Sequence, residues 1–344
     1  MTEAKEKIAL IVTTIASPNP TLERLARGCV EHGWEFIVIG DESSPRDFHV
    51  EGCRFYSLEE QQSLDFKLTS LCPTRHYARK NLGYLIAMRN GATTIVETDD
   101  DNNPYPDFWR SRNRTPTVRT ATKTGWLNVY RYFSDTQIWP RGFPLEHLKD
   151  PAPAFAALPT QEIDCPIQQG LANEDPDVDA VYRLVGALPQ TFGDNPSVAL
   201  GQQSWCPFNS QNTAWWRSAF PLMYLPALCS FRMTDIWRSF IAQRIAWTND
   251  WGVLFEKPTV EQERNVHDLL RDFRDEVPGY LHNAAICKTL EELPLASGEA
   301  AIYDNLRSCY EALVEMKMID ARELDLLEAW IADVNAAAGL DRAI

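Results

Sequence analysis

The chain has 344 residues, of which 44% are hydrophobic and 11% aromatic, and its formal net charge is −15. This length suffices for one large α/β domain with an appendage or for two domains, and the apolar content excludes global disorder. The acidic balance argues against binding of a nucleic-acid backbone over a broad surface, and it leaves room for a local basic pocket that takes a small phosphate ligand.

The early chain carries no targeting or membrane signal. The N-terminal stretch MTEAKEKIALIV passes directly into a strand-like run, without the long apolar region of a signal peptide. No window approaches the roughly 18 uncharged apolar residues of a membrane-spanning helix. The eight cysteines include no C-x-x-C pair and no zinc-finger spacing. These features predict a cytoplasmic protein with reduced thiols and no integral membrane segment.

Short apolar strands and helices alternate over the first 100 residues. Continuous apolar runs predict strands, whereas apolar residues at helical spacing predict helices, which end at Gly33 and Gly91. This alternation is typical of a parallel, Rossmann-like sheet. The predicted order is strand 7–15, helix 18–33, strand 34–41, short helix 57–64, helix 77–91 and strand 92–101.

Polar side chains follow three of these strands at the points where the strands end. Thr13 and Thr14 end the first strand, Asp41 and Glu42 follow the second, and Asp99–Asp101 follow the strand after Gly91. Ligands of open α/β sheets bind beyond the carboxyl ends of the strands. We therefore expect the three groups to share one crevice.

The remainder of the chain changes character twice. Residues 110–215 are irregular and rich in Pro, Asn, Asp and aromatic residues, which predicts binding loops. Residues 230–247 have helical spacing. From residue 257 onward the sequence reads as amphipathic helices, beginning with TVEQERNVHDLLRDFRDEV. We expect a catalytic domain over residues 1–256 and a helical region over residues 257–344 that is a candidate surface for homo-oligomers.

Three consecutive carboxylates, Asp99, Asp100 and Asp101, repel one another unless a cation compensates for them. Asp99, Asp101 and Asn103 match the start of an EF-hand calcium loop, but Pro104 stands where that loop needs glycine. The position of its final glutamate is likewise held by Arg110. A solvated loop or helix cap remains open for any one aspartate. The third alternative is Mg²⁺ or Mn²⁺ bound together with a diphosphate, as in the D-x-D signature of GT-A glycosyltransferases.

Longer blocks of sequence extend this third alternative. The blocks are YARKNLGYLIAMRNGATTIVETDDDN, NVYRYFSDTQIWPRGFPLEHL, IQQGLANEDPDVDAVYRL, PFNSQNTAWW and TDIWRSFIAQRIAW. In order and approximate spacing they resemble the STELLO-like family, GT-A-type glycosyltransferases best known as plant Golgi proteins linked to cellulose synthesis. The resemblance covers residues 10–260. Plant members have an N-terminal membrane anchor, and we expect this chain to be a soluble version without one.

The resemblance implies an α/β fold of the GT-A type, with a Rossmann-like, mainly parallel central sheet. It also implies metal-dependent transfer of a sugar from a nucleotide-sugar donor, most simply a UDP-sugar, to a hydroxyl-bearing acceptor such as a carbohydrate. A divalent cation, Mn²⁺ or Mg²⁺, and Arg or Lys would stabilise the departing diphosphate. The implied metal pair is Asp99 and Asp101. The implied donor contacts are Thr13, Thr14, Asp41, Glu42, Arg79, Lys80, Asp99, Asp100 and Arg141.

Asp235 is the candidate general base of an inverting transfer, because MTDIWRSF resembles the [ET]-D element of many inverting GT-A enzymes. A helix N-terminal carboxylate is the alternative. Arg141 suits bidentate phosphate binding or a stacked structural role.

The polar row Asn209, Ser210, Gln211 and Asn212 is a candidate acceptor or sugar site, or else a loop whose neighbouring tryptophans belong to the core. Asp175, Asp177 and Asp179 alternate, which suits a second cation site or, more simply, an acidic surface turn.

Two other functions remain open. One is a nucleotide-sugar mutase or self-glycosylating protein built on a GT-A core. The other is a non-catalytic scaffold that keeps the nucleotide pocket and uses the helical region to bind partners.

Overall fold

A computed structural model describes residues 6–263 and 268–340. Its strands are β1 (Ile8–Thr13), β2 (Glu35–Ile39), β3 (Arg54–Tyr56), β4 (Thr94–Thr98), β5 (Asn102–Pro104), β6 (Thr117–Ala121), β7 (Gly125–Trp126), β8 (Thr160–Glu162), β9 (Ile167–Glu174), β10 (Val198–Leu200), β11 (Ser204–Trp205), β12 (Asn212–Trp216) and β13 (Val253–Gln262). Its helices are α1 (Pro20–His32), α2 (Leu58–Gln62), α3 (Lys80–Arg89), α4 (Ala180–Val185), α5 (Thr234–Trp247), α6 (Leu269–Glu292), α7 (Ile302–Glu315) and α8 (Glu323–Leu340).

Within the described residues, one eleven-stranded sheet runs in the order β3-β2-β1-β4-β12-β9-β13-β10-β6-β8, with β5 paired to β13. Strands β3, β2, β1 and β4 are parallel, so their carboxyl ends lie at one edge. β12 is antiparallel to both β4 and β9. The predicted α/β fold class, with a parallel Rossmann-like half and C-terminal helices, is confirmed.

Alternating side chains of the parallel strands enter two different cores. Leu10 and Val12 of β1 pack with α1 residues such as Leu25 on one face of the sheet. Ile11 of the same strand faces the opposite core, which contains Leu85 of α3. A strand buried on both faces needs a continuous apolar sequence, and this is why the run predicted a strand so directly.

Local signals set the ends of α1. The Asn19 side chain accepts a hydrogen bond from the backbone N–H of Leu22, and Pro20 occupies the first turn. Gly33 ends the helix with a φ of 68°, which a residue with a Cβ adopts only at a cost. The helix therefore lies where the sequence placed it.

Part of the region predicted to be irregular is in fact the centre of the sheet. β9 carries the sequence IQQGLANE, and most of it is buried between β12 and β13. Gln168 and Gln169 are buried polar residues that an apolar-run criterion does not identify as strand. Gln169 Oε1 accepts hydrogen bonds from the Asn209 N–H at 2.9 Å and from the Thr213 hydroxyl at 3.0 Å.

The helical region begins later than the sequence indicated. Residues 259–262, read as the start of a helix, are the last part of β13, and the first helix after it begins at Leu269. Residues 264–267 of that predicted helix lie outside the described residues. The predicted boundary at residue 256 therefore falls inside a strand.

The C-terminal helices are attached to the α/β part by buried carboxylates. Asp333 of α8 accepts hydrogen bonds from the backbone N–H groups of Lys67 and Leu68, both at 2.9 Å. Glu323, which is fully buried, accepts from the N–H groups of Ala227 and Leu228. Side chains of α7 and α8 belong to the same hydrophobic core as α3 and α5.

The packing of α3 on the sheet gives a stability prediction. A Cβ at Gly83 would lie 2.7 Å from Ile11 Cγ2 and 2.9 Å from Ile39 Cγ1. We expect Gly83→Ala to destabilise the fold by about 1–3 kcal/mol, because both neighbours are core side chains with no room to move. Denaturant titration measures this, with Gly193→Ala as control, since a Cβ there meets nothing nearer than 3.4 Å. Equal midpoints for the two variants would contradict the prediction.

Candidate active site

A cleft of about 700 Å³ opens at the carboxyl ends of β1, β2 and β4. The other wall comes from the residues around Arg141, from Gln211 and from the segment that leads into α5. Parallel strands bring their polar ends to this one edge, as the sequence pattern predicted. The sequence-predicted residues that line the cleft are Thr13, Thr14, Asp41, Arg79, Asp99, Asp100, Asp101, Arg141, Gln211 and Asp235.

The first loop is tied directly to the aspartate cluster. The Thr14 hydroxyl donates to Asp100 Oδ2, and the Asn19 side-chain amide donates to the Asp100 carbonyl at 3.0 Å. The Thr14 N–H in turn donates to the Ile39 carbonyl at 3.0 Å. Burial raises the pKa of Asp100, and the bond from Thr14 opposes that shift. Thr14 thus orients one of the three carboxylates.

Lys80 compensates for the next carboxylate. The Lys80 side chain is fully buried, and its Nζ donates to Tyr77 Oη at 2.7 Å, to the Thr98 carbonyl at 2.8 Å and to Asp99 Oδ1 at 3.3 Å. Asp99 Oδ1 also accepts from Tyr77 Oη at 3.0 Å. Burial raises the pKa of Asp99, while the positive charge of Lys80 lowers it. Lys80 does not line the cleft, although the sequence predicted it as a donor contact.

Asp101 is held by the far side of the sheet. Its Oδ1 accepts from Gln262 Nε2 at 3.0 Å, and its carbonyl accepts from the Glu263 N–H at 3.1 Å. Gln262 also accepts from Gln211 Nε2 at 2.9 Å. The three aspartates therefore contact three different elements, although they are consecutive in sequence.

No group of three or more His, Cys, Asp or Glu side chains within residues 6–263 and 268–340 is placed to hold a metal ion by itself. Mg²⁺ and Mn²⁺ sites that use substrate phosphates need only one or two carboxylates. Asp99 and Asp101 both face the cleft with hard oxygen ligands. The donor set present therefore fits a cation that is completed by a diphosphate and water.

Arg141 is engaged entirely by the protein. Its Nε and Nη2 donate to the two oxygens of Asp177, both at 2.8 Å, and its Nη1 and Nη2 donate to the oxygens of Asp235 at 3.0 and 2.9 Å. The second Nη1 hydrogen goes to the Arg232 carbonyl. These contacts use all five N–H donors of a guanidinium. The predicted phosphate contact of Arg141 would require one of them to break.

Asp235 lies at the start of α5 with both oxygens bonded. Besides Arg141, its Oδ2 accepts from the N–H and the hydroxyl of Ser210, each at 3.2 Å. Burial alone would raise the pKa of Asp235, but the charge and hydrogen bonds of Arg141 hold it well below the usual range. The group is a fixed, ionised carboxylate that faces the cleft.

The polar row at 209–212 lies mostly beneath the cleft. Asn209 donates to Asp177 Oδ2 at 2.8 Å, and Asn212 donates to Thr259 Oγ1 at 2.8 Å. Ser210 bonds to Asp235 and to Tyr77. Of this row, only Gln211 lines the cleft. The neighbouring Trp205 and Trp215 are core side chains, in agreement with the alternative in which this segment is structural.

Two further predicted residues lie at the wall and the rim. Arg79 donates to Gln61 Oε1 at 2.8 Å and to the Cys72 carbonyl at 3.2 Å. Among the described residues, its buried Nη2 has no hydrogen-bond partner, although Arg79 lines the cleft. Glu42 does not line the cleft itself and pairs with Arg75 at 2.6 Å.

The acidic turn after β9 is structural. Asp179 accepts from the Tyr182 N–H as the N-cap of α4 and from Trp139 Nε1, both at 2.7 Å, and Asp175 pairs with Arg183. Asp177 and Asp179 are buried, so the expectation of an acidic surface turn was wrong. These carboxylates pair with buried donors because the turn is folded under the cleft wall.

Sequence reasoning missed several cleft residues, notably Tyr77, Phe231, Arg232 and Gln262. His76 also lines the cleft. The available signal for these cleft residues was closeness in sequence to predicted site residues. Tyr77 lies two residues before Arg79, and Phe231 lies four residues before Asp235. Their orientation depends on 3₁₀ turns at 77–79 and 231–233, which hydrophobic periodicity does not reveal.

Comparison with known proteins agrees with the resemblance. Residues 232–340 match the family described as STELLO glycosyltransferases. The chain is 26% identical to "Probable glycosyltransferase STELLO2" of Arabidopsis thaliana over 346 residues, which is 94% of this chain and 44% of that protein. It is also 26% identical to STELLO1 of the same plant, over 95% of this chain and 44% of the relative.

The resemblance to the STELLO-like family is confirmed. The chain spans less than half the length of these two STELLO relatives. Among solved structures, it superposes loosely on glucosyl-3-phosphoglycerate synthase from Mycobacterium tuberculosis in complex with Mn²⁺, UDP-glucose and phosphoglyceric acid. The identity is 14% and the TM-score 0.41, over 82% of this chain and 80% of that one.

The membrane anchor expected of plant STELLO proteins can be compared with the helices of this chain. Among the described residues, no helix combines the length and the apolar character that a bilayer crossing requires.

The buried ammonium of Lys80 gives a second stability prediction. We expect Lys80→Met to lower the free energy of unfolding by about 3 kcal/mol, because the partly buried Asp99 loses the fully buried ammonium group with which it pairs. Loss of Lys80 raises the pKa of folded Asp99 further. Since the pKa of folded Asp99 lies above the ordinary value of 3.8 in the wild type and higher still in the variant, the deficit grows as the pH rises from the first folded pKa to the second.

Urea titrations of the wild type and the variant between pH 4 and pH 8 measure this trend. Lys288→Met on the exposed face of α6 is the matched control and should show no such pH dependence. A deficit in Lys80→Met that is constant or shrinks with rising pH would contradict the coupling to Asp99.

Proposed function

We propose that this protein is a metal-dependent glycosyltransferase that moves a sugar from a nucleotide-sugar donor, most simply a UDP-sugar, to a hydroxyl-bearing acceptor. The observation that carries the proposal is the cleft at the ends of β1, β2 and β4, where Asp99–Asp101 face an ionised Asp235 across one cavity. Similarity to proteins named glycosyltransferases supports the same chemistry.

The donor would lie along the strand ends. Thr13, Thr14 and Asp41 offer polar atoms for the nucleoside, and the unpartnered Nη2 of Arg79 offers a charged donor for its phosphates. Asp101 and Asp99 would hold the divalent cation. When bound, that cation supplies positive charge to the departing diphosphate. Asp100, oriented by Thr14, is left for the donor sugar or ribose.

Asp235 would accept the proton of the acceptor hydroxyl. The acceptor oxygen attacks the anomeric carbon, the bond from that carbon to the diphosphate breaks, and the proton passes to the Asp235 carboxylate. Arg141 keeps this group ionised and aimed, but it also makes the carboxylate a weaker base. In this proposal, proton transfer therefore requires the Arg141 bonds to loosen as the carboxylate becomes neutral.

The clamp on Asp235 also supports a second candidate, a nucleotide-binding scaffold without transfer activity. A carboxylate whose oxygens are both bonded to Arg141 is well suited to a structural role. The two candidates share the donor site and differ only in whether Asp235 acts on an acceptor.

Donor binding gives the first functional prediction. With UDP at about 100 times its Kd, linkage stabilises the folded state by about 2.7 kcal/mol, which for a chain of this size raises the melting temperature by about 4 °C. We expect this shift with UDP plus Mn²⁺, and its loss on chelation. Asp101→Asn should lose the metal-dependent part, whereas Asp325→Asn, an exposed residue of α8, should keep it.

Differential scanning fluorimetry with UDP, GDP and CDP and either metal tests this. The absence of a shift with every nucleotide and metal would overturn the glycosyltransferase proposal and the scaffold alternative together, since both retain a nucleotide pocket.

The base gives the second functional prediction. We expect Asp235→Asn to lower the rate of transfer by 10²-fold or more, on the order expected for loss of a general base, while UDP affinity persists. Asp177→Asn, which contacts the opposite edge of Arg141, is the matched variant and should retain more activity. The rate of transfer is measured by release of UDP, and UDP affinity by calorimetry. Lost nucleotide binding in Asp235→Asn would point to a structural or metal role instead.

A further inference from the structure

The segment that precedes Asp235 presents an aromatic side chain to the cleft. Phe231 is 51% exposed and lines the cavity, although a phenylalanine normally avoids water. Its ring meets the edge of the His76 ring at a centroid distance of 5.6 Å and lies 6.5 Å from the Tyr77 ring. These two neighbours fix one side of the Phe231 ring.

The exposure of Phe231 does not come from a loosely attached loop. The preceding Ser230 hydroxyl donates to the Asp275 carbonyl of α6, and the following Arg232 donates to Glu276 at 2.9 Å. Met233 is buried against Gly279 of the same helix. Contacts on both sides of Phe231 thus hold the segment in place while its ring stays uncovered.

His76 adds a polar group beside this ring. Its Nδ1 accepts a hydrogen bond from the Ala78 N–H at 3.0 Å, so in the neutral imidazole the hydrogen lies on Nε2. Burial lowers the pKa of His76, which favours that neutral form. The cleft wall therefore combines an apolar aromatic surface with one neutral N–H donor.

Three arginines that line the cleft, Arg75, Arg141 and Arg232, are already paired with carboxylates. Arg75 contacts Glu42 at 2.6 Å, and Arg232 contacts the fully buried Glu276 at 2.8 Å. Arg141 has no N–H left over, as described above. This part of the wall offers little net positive charge to an anionic ligand.

We propose that Phe231 and His76 form the acceptor subsite, and that the acceptor is a neutral saccharide whose ring stacks on Phe231 while a hydroxyl accepts from His76 Nε2–H. This inference rests on the proposed glycosyltransferase function and names its acceptor class. It replaces residues 209–212 as the acceptor site, since most of that row is buried. Phe231 and Asp235 are four residues apart in the sequence, and both line the same cleft.

The test measures saccharide binding to the full chain in the presence of UDP and Mn²⁺. Saturation-transfer NMR is recorded with methyl glucoside, methyl galactoside and methyl mannoside, and with glucose 6-phosphate as an anionic counterpart. We expect at least one methyl glycoside to bind better than the phosphate. Phe231→Ala should weaken that binding by roughly tenfold, and Phe231→Tyr should retain it within about twofold. UDP affinity should stay the same in both variants.

Two further variants separate the subsite from general structural effects. Phe273→Ala removes a partly exposed phenylalanine of α6 that does not line the cleft, and it should bind saccharide like the wild type. The asparagine of His76→Asn can still accept a hydrogen bond from the Ala78 N–H, but it lacks the Nε2–H on the far side of the imidazole ring. It should weaken saccharide binding without lowering the melting temperature.

Three outcomes would overturn the subsite: no methyl glycoside binds the wild type, Phe231→Ala binds as the wild type does, or Phe231→Ala loses UDP affinity and so assigns the ring to the donor. Preference for glucose 6-phosphate would overturn the neutral class. Failure of the proposed function is distinguishable, because it appears as absent UDP binding in the wild type. Saccharide binding that persists without any UDP binding would keep the subsite and reject the transferase.

Discussion

The cleft depends on one buried ammonium group. Lys80 begins α3, and its Nζ reaches the end of β4 and the segment before β12, through the carbonyls of Thr98 and Ser210. A buried lysine is costly unless it is paired, and here Asp99 and Tyr77 complete its contacts. The same bond that neutralises the carboxylate also fixes the strand end relative to the helix. Without it, Asp99 would lose both its counter-charge and one of the contacts that position it at the strand end.

A second buried cation organises the opposite wall. Arg141 joins Asp177, from the turn after β9, to Asp235, from the start of α5. Ser210 contacts Asp235 on one side and Tyr77 on the other, so the two cation centres belong to one hydrogen-bonded network. Breaking either centre therefore disturbs both walls. This connection explains why residues that never reach the cavity, such as Lys80, still determine its shape.

The parallel half of the fold was predictable because β1, β2 and β4 are buried on both faces and therefore read as continuous apolar runs. Because parallel strands end at one edge of the sheet, the polar residues at their carboxyl ends lie close together. The prediction therefore placed Thr14, Asp41 and Asp99 in one crevice. β9 was not predictable by the same criterion, since its glutamines are buried, and Gln169 bonds through its side chain to Asn209 before β12 and to Thr213 within it. The inward or outward orientation of residues 209–212 depends on those bonds. No spacing in the sequence encodes them, and the exposure of Phe231 depends likewise on contacts with α6.

The three consecutive aspartates are distinguished by their partners and not by their chemistry. Asp99 shares an oxygen with a buried ammonium, Asp100 is oriented by the Thr14 hydroxyl, and Asp101 accepts an amide hydrogen from Gln262. These three consecutive residues differ from one another only because three separate elements of the fold contact them.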